Sequence, residues 1–247
     1  TYVRLMVSRG SGPLGLDPDL AEAPLRVMFV APLHEPRGAD YVHGIRLHVS
    51  TGARAIDGTG AEGAKVSNYL PAVLALRQAK SHGAKEVLFV DARSSREGQP
   101  RPPSGGHAQD RVHGQAYASQ RERSDGELWH ANVLEGGTSN VLAFFGRTLR
   151  TPPLTHILEG ITRRYALRHA RALGLEVREE PLTLEELSHA DEVCITSSIR
   201  EFVPVACVSF GTSSFSIKDS AHHWTRTLHQ SFRTSAGARG PHPWEIS

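Results

Sequence analysis

Short apolar runs alternate with helix-like segments along this chain, and that alternation is the feature that most constrains its fold. Residues 2–8, 25–31 and 45–50 are rich in apolar residues and bounded by turn-forming ones, which is typical of strands. A helix is predicted from Pro71, because proline is tolerated in the first turn, and Gly83 would end it. Strands that alternate with helices in this way predict an α/β domain.

The same pattern continues through the rest of the chain. Further strands are predicted at 86–90, 132–134, 141–145, 175–178, 192–196 and 203–210. A second helix is predicted at 161–173, with Gly174 as its stop. Thr183 and Glu186 have the spacing of a capping box, which predicts a short helix up to His189.

Residues 92–130 interrupt this pattern, because they are rich in Arg, Ser, Gly, Pro, Gln and His and poor in apolar residues. Such a segment cannot bury enough surface to offset its ordering entropy. We therefore predict a disordered insertion, either a lid or partner loop or a tolerated surface insertion, within one domain that spans 1–235. Residues 236–247, rich in Gly, Arg and Pro, are predicted to form a loose C-terminal tail.

The bulk composition narrows the class of protein. The 247 residues are 39% hydrophobic and 22% charged, which is ordinary for a globular protein. The net charge is +2, and the sequence has no stripe of basic residues that would indicate nucleic-acid binding. No apolar run reaches membrane-spanning length. Cys194 and Cys207 are too few for a disulfide framework, which favours reduced thiols in a cytoplasmic protein. The 14 histidines form no HExxH or Cys/His pattern, so no metal site is predicted.

Five motifs, in this order, resemble those of the fold-type IV pyridoxal 5'-phosphate (PLP) enzymes. They are KVSNYL at 65–70, LEGGTSN at 134–140, TPPL at 151–154, ILEGITR at 157–163, and ADEV at 190–193 leading to Pro204-Val205. The resemblance covers residues 1–91 and 131–235. It implies the larger α/β domain of that family, with a mixed sheet and flanking helices, in a homodimer.

That family comprises branched-chain aminotransferases, D-amino-acid aminotransferases and aminodeoxychorismate lyases. The resemblance favours PLP-dependent transamination of a branched-chain-like amino acid with 2-oxoglutarate as the 2-oxo acid acceptor, as in branched-chain amino acid biosynthesis. A lyase, a D-amino-acid aminotransferase and a truncated non-catalytic member are the alternatives. The family normally places a smaller domain before the point where this chain begins, so we expect a fragment of a longer protein or a form without that domain.

The resemblance implies a role for four residues toward the cofactor ring. PLP chemistry needs a lysine amine to form a Schiff base and to move a proton between Cα and C4′, and this would be Lys65. Glu135 would pair with the protonated pyridine nitrogen. Tyr69 would lie against the 3′-oxygen and Leu158 against the ring. For Tyr69, ordinary core packing is the alternative.

The phosphate would lie at the start of the helix at 161–173. A helix N-terminus offers converging N–H donors and a favourable dipole, and Ile161 and Thr162 stand there. Ser198 matches a further phosphate-contacting hydroxyl. The family's phosphate-binding arginine normally comes from the smaller domain, so we expect weak PLP binding unless another residue, with Arg163 the first candidate, supplies the cation.

Substrate carboxylates require arginine or amide donors. The resemblance implies Arg4 and Arg9, together with the backbone amides of Ser198 and Ile199. Arg4 matches an arginine at the side-chain pocket of branched-chain enzymes, and Arg9 one that D-amino-acid enzymes use for the α-carboxylate. Either arginine could instead be a surface or structural residue.

Overall fold

A computed structural model divides the chain into two compact units, Thr1–Pro36 and Arg37–Ser247. It describes residues 1–21, 23–33, 38–51, 65–91, 124–155, 157–218, 221–238 and 243–245. The described strands of the first unit pair only with each other. The single domain over 1–235 stays a prediction.

The first unit is an antiparallel ribbon of two strands. They are β1 (Tyr2–Ser8) and β2 (Leu25–Ala31), which confirms the two strands predicted there. A short 3-10 turn at Pro18–Leu20 lies between them, and the side chain of Asp17 accepts the backbone N–H of Asp19 at 2.9 Å.

The second unit is built on one large mixed sheet. Its nine described strands are β3 (Ile45–Ser50), β4 (Glu86–Asp91), β5 (Asn132–Gly136), β6 (Asn140–Phe145), β7 (Thr148–Thr151), β8 (Glu176–Glu179), β9 (Glu192–Ser197), β10 (Glu201–Phe210) and β11 (Ser213–Ser216). The order is β5-β4-β3-β10-β9-β6-β7-β8, with β11 beside β10. The pairs β3–β4, β3–β10 and β7–β8 are parallel, and the others antiparallel. The predicted mixed sheet is confirmed, while β7 and β11 were not predicted.

Helices flank this sheet, as the resemblance implies. Those described are α1 (Gly38–His43), α2 (Leu70–Ser81), α3 (Asp125–Trp129), α4 (Ile161–Ala172), α5 (Leu184–Ser188) and α6 (His223–Ser235). The predictions of α2, α4 and α5 are confirmed. Helix α2 packs on β3 and β4, whereas α4 and α6 pack on each other and on β8, β9 and β10. Strands β4, β6 and β9 are buried along almost their whole length, as expected for strands with covered faces.

The ADEV motif has a structural role in this fold. The buried carboxylate of Glu192 on β9 accepts the backbone N–H groups of Trp224 and Thr225 at 2.8 and 3.0 Å, and the Thr225 hydroxyl at 3.0 Å. It therefore caps α6, whose own N-cap residue, His222, is in the left-handed region and makes no side-chain cap. Asp191 accepts the N–H of Gly146 at 2.7 Å and fixes the turn between β6 and β7.

Two predicted irregular segments are partly ordered. Residues 92–123 of the predicted insertion lie outside the described residues, but 124–130 are not a loop. Helix α3 forms there because Ser124 and Glu127 make a capping box and because Trp129 stacks on Phe210. In the predicted loose tail, the indole N–H of Trp244 donates to Nδ1 of His229 at 3.0 Å, which anchors the 3-10 turn Pro243–Glu245.

The buried His48 on β3 should make stability depend on pH. Burial, and then the stacked ring of His82, lower the pKa of His48 to about 4. The unfolded chain takes up this proton near pH 6.5 and the folded chain only near pH 4. Stability is therefore complete above pH 6.5 and should fall by up to about 3 kcal/mol as the pH decreases to 4.

Urea unfolding at pH 7.5, 6 and 4.5 measures this effect. In the variant His48→Asn the side-chain amide can still donate to Ser209 Oγ, which lies 3.0 Å from His48 Nδ1, and the pH dependence should become shallower. The exposed His43, replaced in the same way, is the control. Equal slopes for His48→Asn and the unchanged protein would contradict the assignment.

Candidate functional site

Glu135 near the end of β5 is the centre of a buried hydrogen-bonded cluster. It is 7% exposed, and its Oε2 accepts the backbone N–H of Leu158 at 2.9 Å and the side-chain amide of Asn140 at 3.4 Å. The same amide donates to the carbonyl oxygen of Leu158 at 2.9 Å. The carboxylate therefore has a fixed orientation, and the segment before α4 is held against β5 and β6.

Helix α4 begins directly beside this cluster. Its N-cap residue is Gly160, which gives no side-chain cap to the first N–H groups. A Cβ atom at this position would lie 1.9 Å from Oδ1 of Asn140, so only glycine allows the approach. The first backbone N–H groups of α4, which lie beside the Glu135 cluster, thus receive no cap from the side chain of their N-cap residue.

A cavity of about 280 Å³ opens at this helix start. It is lined by Ile161, Thr162, Tyr165, Ser198, Phe232, Ser235 and Ala236, and none of these described residues carries a charge. Thr162 is 4% exposed and contributes to the cavity wall, on the first turn of α4. The structure therefore brings together Ile161, Thr162 and Ser198, the three residues that sequence analysis assigned to the phosphate.

Lys65 lies in the segment that leads into α2. Its side chain is exposed, and among the described residues it forms no hydrogen bond or ion pair. Tyr69 is the half-buried N-cap residue of α2. The first turn of α2 reaches the turn after Glu135, because a Cβ built on Gly137 would lie 3.8 Å from the Cβ of Ala72. The start of α2 therefore lies near the turn after Glu135, whereas Lys65 itself is not among the residues that line the described cavity.

The predicted substrate residues lie in two places. Arg4 is half-buried on β1 opposite Phe29, and Arg9 donates from Nη2 to the carbonyl oxygen of Asp17 at 2.8 Å. Both arginines belong to the first unit. The Arg9 contact stabilises the ribbon's own loop, which is the structural role that the sequence left open. Ile199 follows Ser198 in the second unit and is 41% exposed.

Arg163 cannot supply a cation to the cavity. It is 2% exposed, and its guanidinium group donates to Thr151 Oγ1 at 3.3 Å, to the carbonyl oxygen of Pro152 at 2.9 Å and to Glu179 Oε2 at 3.0 Å. All of these acceptors belong to β7, β8 and the segment after β7. Arg163, the first candidate for a cation at the phosphate, is thus engaged in structural contacts instead.

Sequence analysis missed an ion pair beside the site. The buried Glu86 forms an ion pair with Arg200, and its Oε1 accepts the backbone N–H of Gly137 at 3.2 Å. Arg200 also donates to the Thr138 hydroxyl at 2.9 Å. A glutamate that opens a strongly apolar strand was the available signal, because such a residue is buried only when it is paired.

The turn that carries Ser198 ends at a strained residue. Glu201 has φ of 53°, in the left-handed region that disfavours non-glycine residues. Its carboxylate contacts Nε2 of His229 and Nη1 of Arg233, both on α6. Burial is the main reason that the pKa of His229 is lowered, although Glu201 acts in the opposite direction. These contacts with α6 therefore stabilise Glu201 in its left-handed conformation.

The described residues give little support to a membrane-spanning helix, a metal site or a nucleophilic cysteine. No described helix is long and apolar enough to cross a membrane. Within the described ranges, no group of three or more His, Cys, Asp or Glu side chains could hold a metal ion. Both cysteines are free, and burial raises the pKa of the Cys194 thiol, which makes it a weak nucleophile.

Comparison with known proteins identifies relatives over most of the chain. The family described as amino-transferase class IV matches residues 1–95 and 111–208. A Methanocaldococcus jannaschii protein assigned to the branched-chain-amino-acid aminotransferases is 32% identical over 205 residues, which are 83% of this chain and 57% of that protein. The Bacillus subtilis aminodeoxychorismate lyase is 41% identical over 86 residues, 33% of this chain and 29% of the lyase. The chain thus spans little more than half of the first relative.

Solved structures of such enzymes share the fold. The crystal structure of the Escherichia coli branched-chain amino acid aminotransferase has a TM-score of 0.69 at 23% identity, over 99% of this chain and 67% of that one. The branched-chain aminotransferase from the thermophilic archaeon Thermoproteus uzoniensis, solved with norvaline, has a TM-score of 0.67 at 22% identity, over 96% and 65%.

Proposed function

Because this chain belongs to the class IV aminotransferases, we propose that it is the cofactor-binding part of a PLP-dependent aminotransferase. The substrates would be a branched-chain-like amino acid and 2-oxoglutarate, and the active form a cytoplasmic homodimer. The observation that carries this proposal is that Thr162 at the start of α4 lines one cavity with Ser198, beside the segment held by the fixed carboxylate of Glu135.

The donors at the cavity fit a phosphate group. The start of α4 supplies backbone N–H groups without a side-chain cap and the positive end of the helix dipole. Thr162 and Ser198 add hydroxyl donors, and Ile161 adds its amide.

Two further residues would act on the reacting atoms. When bound, PLP supplies an electron sink for the negative charge that develops at the substrate Cα. Glu135 would hold the proton on the pyridine nitrogen, because its carboxylate is buried and fixed by Leu158 and Asn140. The amine of Lys65 would attach the cofactor covalently and move the proton at Cα. Tyr69 and Leu158 would contact the ring and its 3′-oxygen.

Fewer structural observations support the proposed substrate contacts than the proposed cofactor contacts. The backbone amides of Ser198 and Ile199 lie in an exposed turn at the edge of the cavity, where a carboxylate could bind them. Arg4 and Arg9 stay predicted substrate-binding residues, on the resemblance alone.

A specific observation favours a second function. The identity to the Bacillus subtilis aminodeoxychorismate lyase is 41%, although over only 86 residues. Continued turnover by an aminotransferase requires a 2-oxo acid acceptor, whereas a lyase needs none. Turnover measured with and without 2-oxoglutarate therefore separates the two. D-amino-acid transamination is tested in the same assay with the two enantiomers of the donor.

Replacing Thr162 with valine tests the phosphate site. Valine has nearly the same shape but no hydroxyl, so the variant should bind PLP about tenfold more weakly, the effect of about 1.4 kcal/mol from one hydrogen bond to a charged group. Affinity for pyridoxal, which lacks the phosphate, should not change. Equilibrium dialysis with both ligands measures this. Equal loss for both ligands, or no loss for PLP, would refute the assignment.

The cavity without a charged residue should bind PLP weakly. A phosphate with nearly two negative charges prefers a cation, and one charge-assisted contact contributes about 1.5–3 kcal/mol, or one to two decades in affinity. Ala236→Arg introduces a cation at the cavity wall, and we expect it to tighten PLP binding by at least about tenfold. Ala238→Arg, at an exposed position that does not line the cavity, is the control.

Tight PLP binding and ordinary transaminase turnover by the unaltered chain would contradict this prediction. So would an equal effect of the two arginine substitutions, because a general increase in positive charge would then explain the gain. If neither the unaltered chain nor the variant Ala236→Arg binds PLP, the non-catalytic alternative is correct.

A further inference from the structure

A single buried carboxylate, that of Glu86, joins the two segments that would hold opposite ends of the cofactor. Its Oε1 accepts the N–H of Gly137 at 3.2 Å, and its Oε2 forms the ion pair with Nη2 of Arg200. Gly137 lies two residues after Glu135, and Arg200 lies two residues after Ser198. The residue proposed for the pyridine nitrogen and one proposed for the phosphate are thus connected through Glu86.

Additional contacts make this connection rigid. Nη2 of Arg200 also donates to the Thr138 hydroxyl at 2.9 Å, and that hydroxyl lies 3.4 Å from Glu86 Oε2. The backbone of Arg200 is held as well, since its N–H donates to the Ser197 hydroxyl at 3.2 Å and its carbonyl accepts from the Tyr41 hydroxyl at 3.0 Å. The side chain of Arg200 is 21% exposed and that of Glu86 is 4% exposed, so the pair is largely shielded from water.

We propose that Arg200 is a positioning residue that, through Glu86, fixes the Ser198 turn relative to Glu135. The inference rests on the proposed function, because it concerns how one ligand is held at two ends. A ligand that carries both a ring and a phosphate gains affinity from both subsites only when these subsites have the correct separation before the ligand binds. Neither Arg200 nor Glu86 lines the cavity. They therefore act on affinity through the geometry of the turns and not by contact.

The ratio of pyridoxal to PLP dissociation constants reports this geometry, because only PLP uses both subsites. In the double variant Glu86→Gln/Arg200→Met, the amide can still accept the Gly137 N–H and no charge stays buried alone. We expect its ratio to fall by about tenfold through the lost preorganisation. Arg200→Lys keeps a cationic donor and should keep the ratio. Arg178→Met, which breaks the exposed pair with Glu176, is the control.

The outcomes separate this inference from the proposed function. If the unaltered protein binds PLP no more tightly than pyridoxal, the proposed function fails and the inference with it. If it discriminates, and the folded double variant discriminates equally well, only the inference is overturned. Should the double variant not fold, Thr138→Val decides, since this exposed residue contacts both partners. Its ratio should fall by about threefold, and an unchanged ratio overturns the inference.

Discussion

Replacing Lys65 with alanine is expected to abolish covalent trapping of PLP by borohydride while the fold stays intact. Lys65 is one of four lysines in the chain, with Lys80, Lys85 and Lys218. Its amine forms no hydrogen bond or ion pair in the described structure, so its removal leaves no buried partner without compensation. The loss of adduct should therefore be complete, with a free energy of unfolding that changes by less than about 0.5 kcal/mol.

Mass spectrometry of the reduced protein and its peptides measures the adduct and its position. Lys80→Ala is the matched control, because Lys80 lies on the last turn of the neighbouring α2 and should not affect trapping. A reduced adduct that persists at another lysine in Lys65→Ala would show that the cofactor amine is assigned incorrectly. Loss of the adduct together with loss of the fold would mean that Lys65 is a structural residue.

Replacing Arg163 with methionine should destabilise the protein by about 3–5 kcal/mol. The guanidinium group of Arg163 is 2% exposed and serves three acceptors, the Thr151 hydroxyl, the Pro152 carbonyl and the Glu179 carboxylate. Methionine fills a similar volume but donates nothing, so the buried Thr151 hydroxyl and Pro152 carbonyl lose their partner, and so does the 36% exposed Glu179 carboxylate. The cost arises from the acceptors left behind as much as from the lost attraction.

The neighbouring Arg164 provides the control on the same helix. Its side chain is 65% exposed, and its ion pair with Glu159 has an N–O distance of 4.0 Å, so Arg164→Met should change stability by less than about 0.5 kcal/mol. Urea unfolding at pH 7 compares the two variants. Equal effects would contradict the structural role of Arg163. The structural role would also be contradicted if Arg163→Met were as stable as the unaltered protein and bound PLP more tightly.

The secondary structure was largely predictable where the signals are local. Helix α5 begins with a capping box of Thr183 and Glu186, and Gly174 follows the end of α4, so both could be located from adjacent residues. Helix α6 could not, because its cap is the carboxylate of Glu192, about 30 residues earlier. Its many Ser, Thr and His residues also give little intrinsic helix preference.

For the candidate site, the order of the motifs grouped Ile161, Thr162 and Ser198, and these residues line one cavity, while their roles stay predictions. Sequence alone could not exclude Arg163 as a cation at this cavity, because proximity in sequence does not determine direction on a helix, where each residue turns by about 100°. The pair of Glu86 and Arg200 joins positions 114 residues apart, and no local pattern records such a contact.

The cap on α6 has a consequence for the evolution of this family. Glu192 is required by the helix N-terminus whether or not a cofactor is bound, because two backbone N–H groups and the Thr225 hydroxyl depend on it. Selection for folding alone would therefore preserve the ADEV motif in descendants that have lost catalysis. Lys65, the residue proposed to attach the cofactor, is exposed and has no such structural constraint, so it would drift first. Substitutions at Lys65, and not at Glu192, should mark the lineages that have given up enzymatic activity.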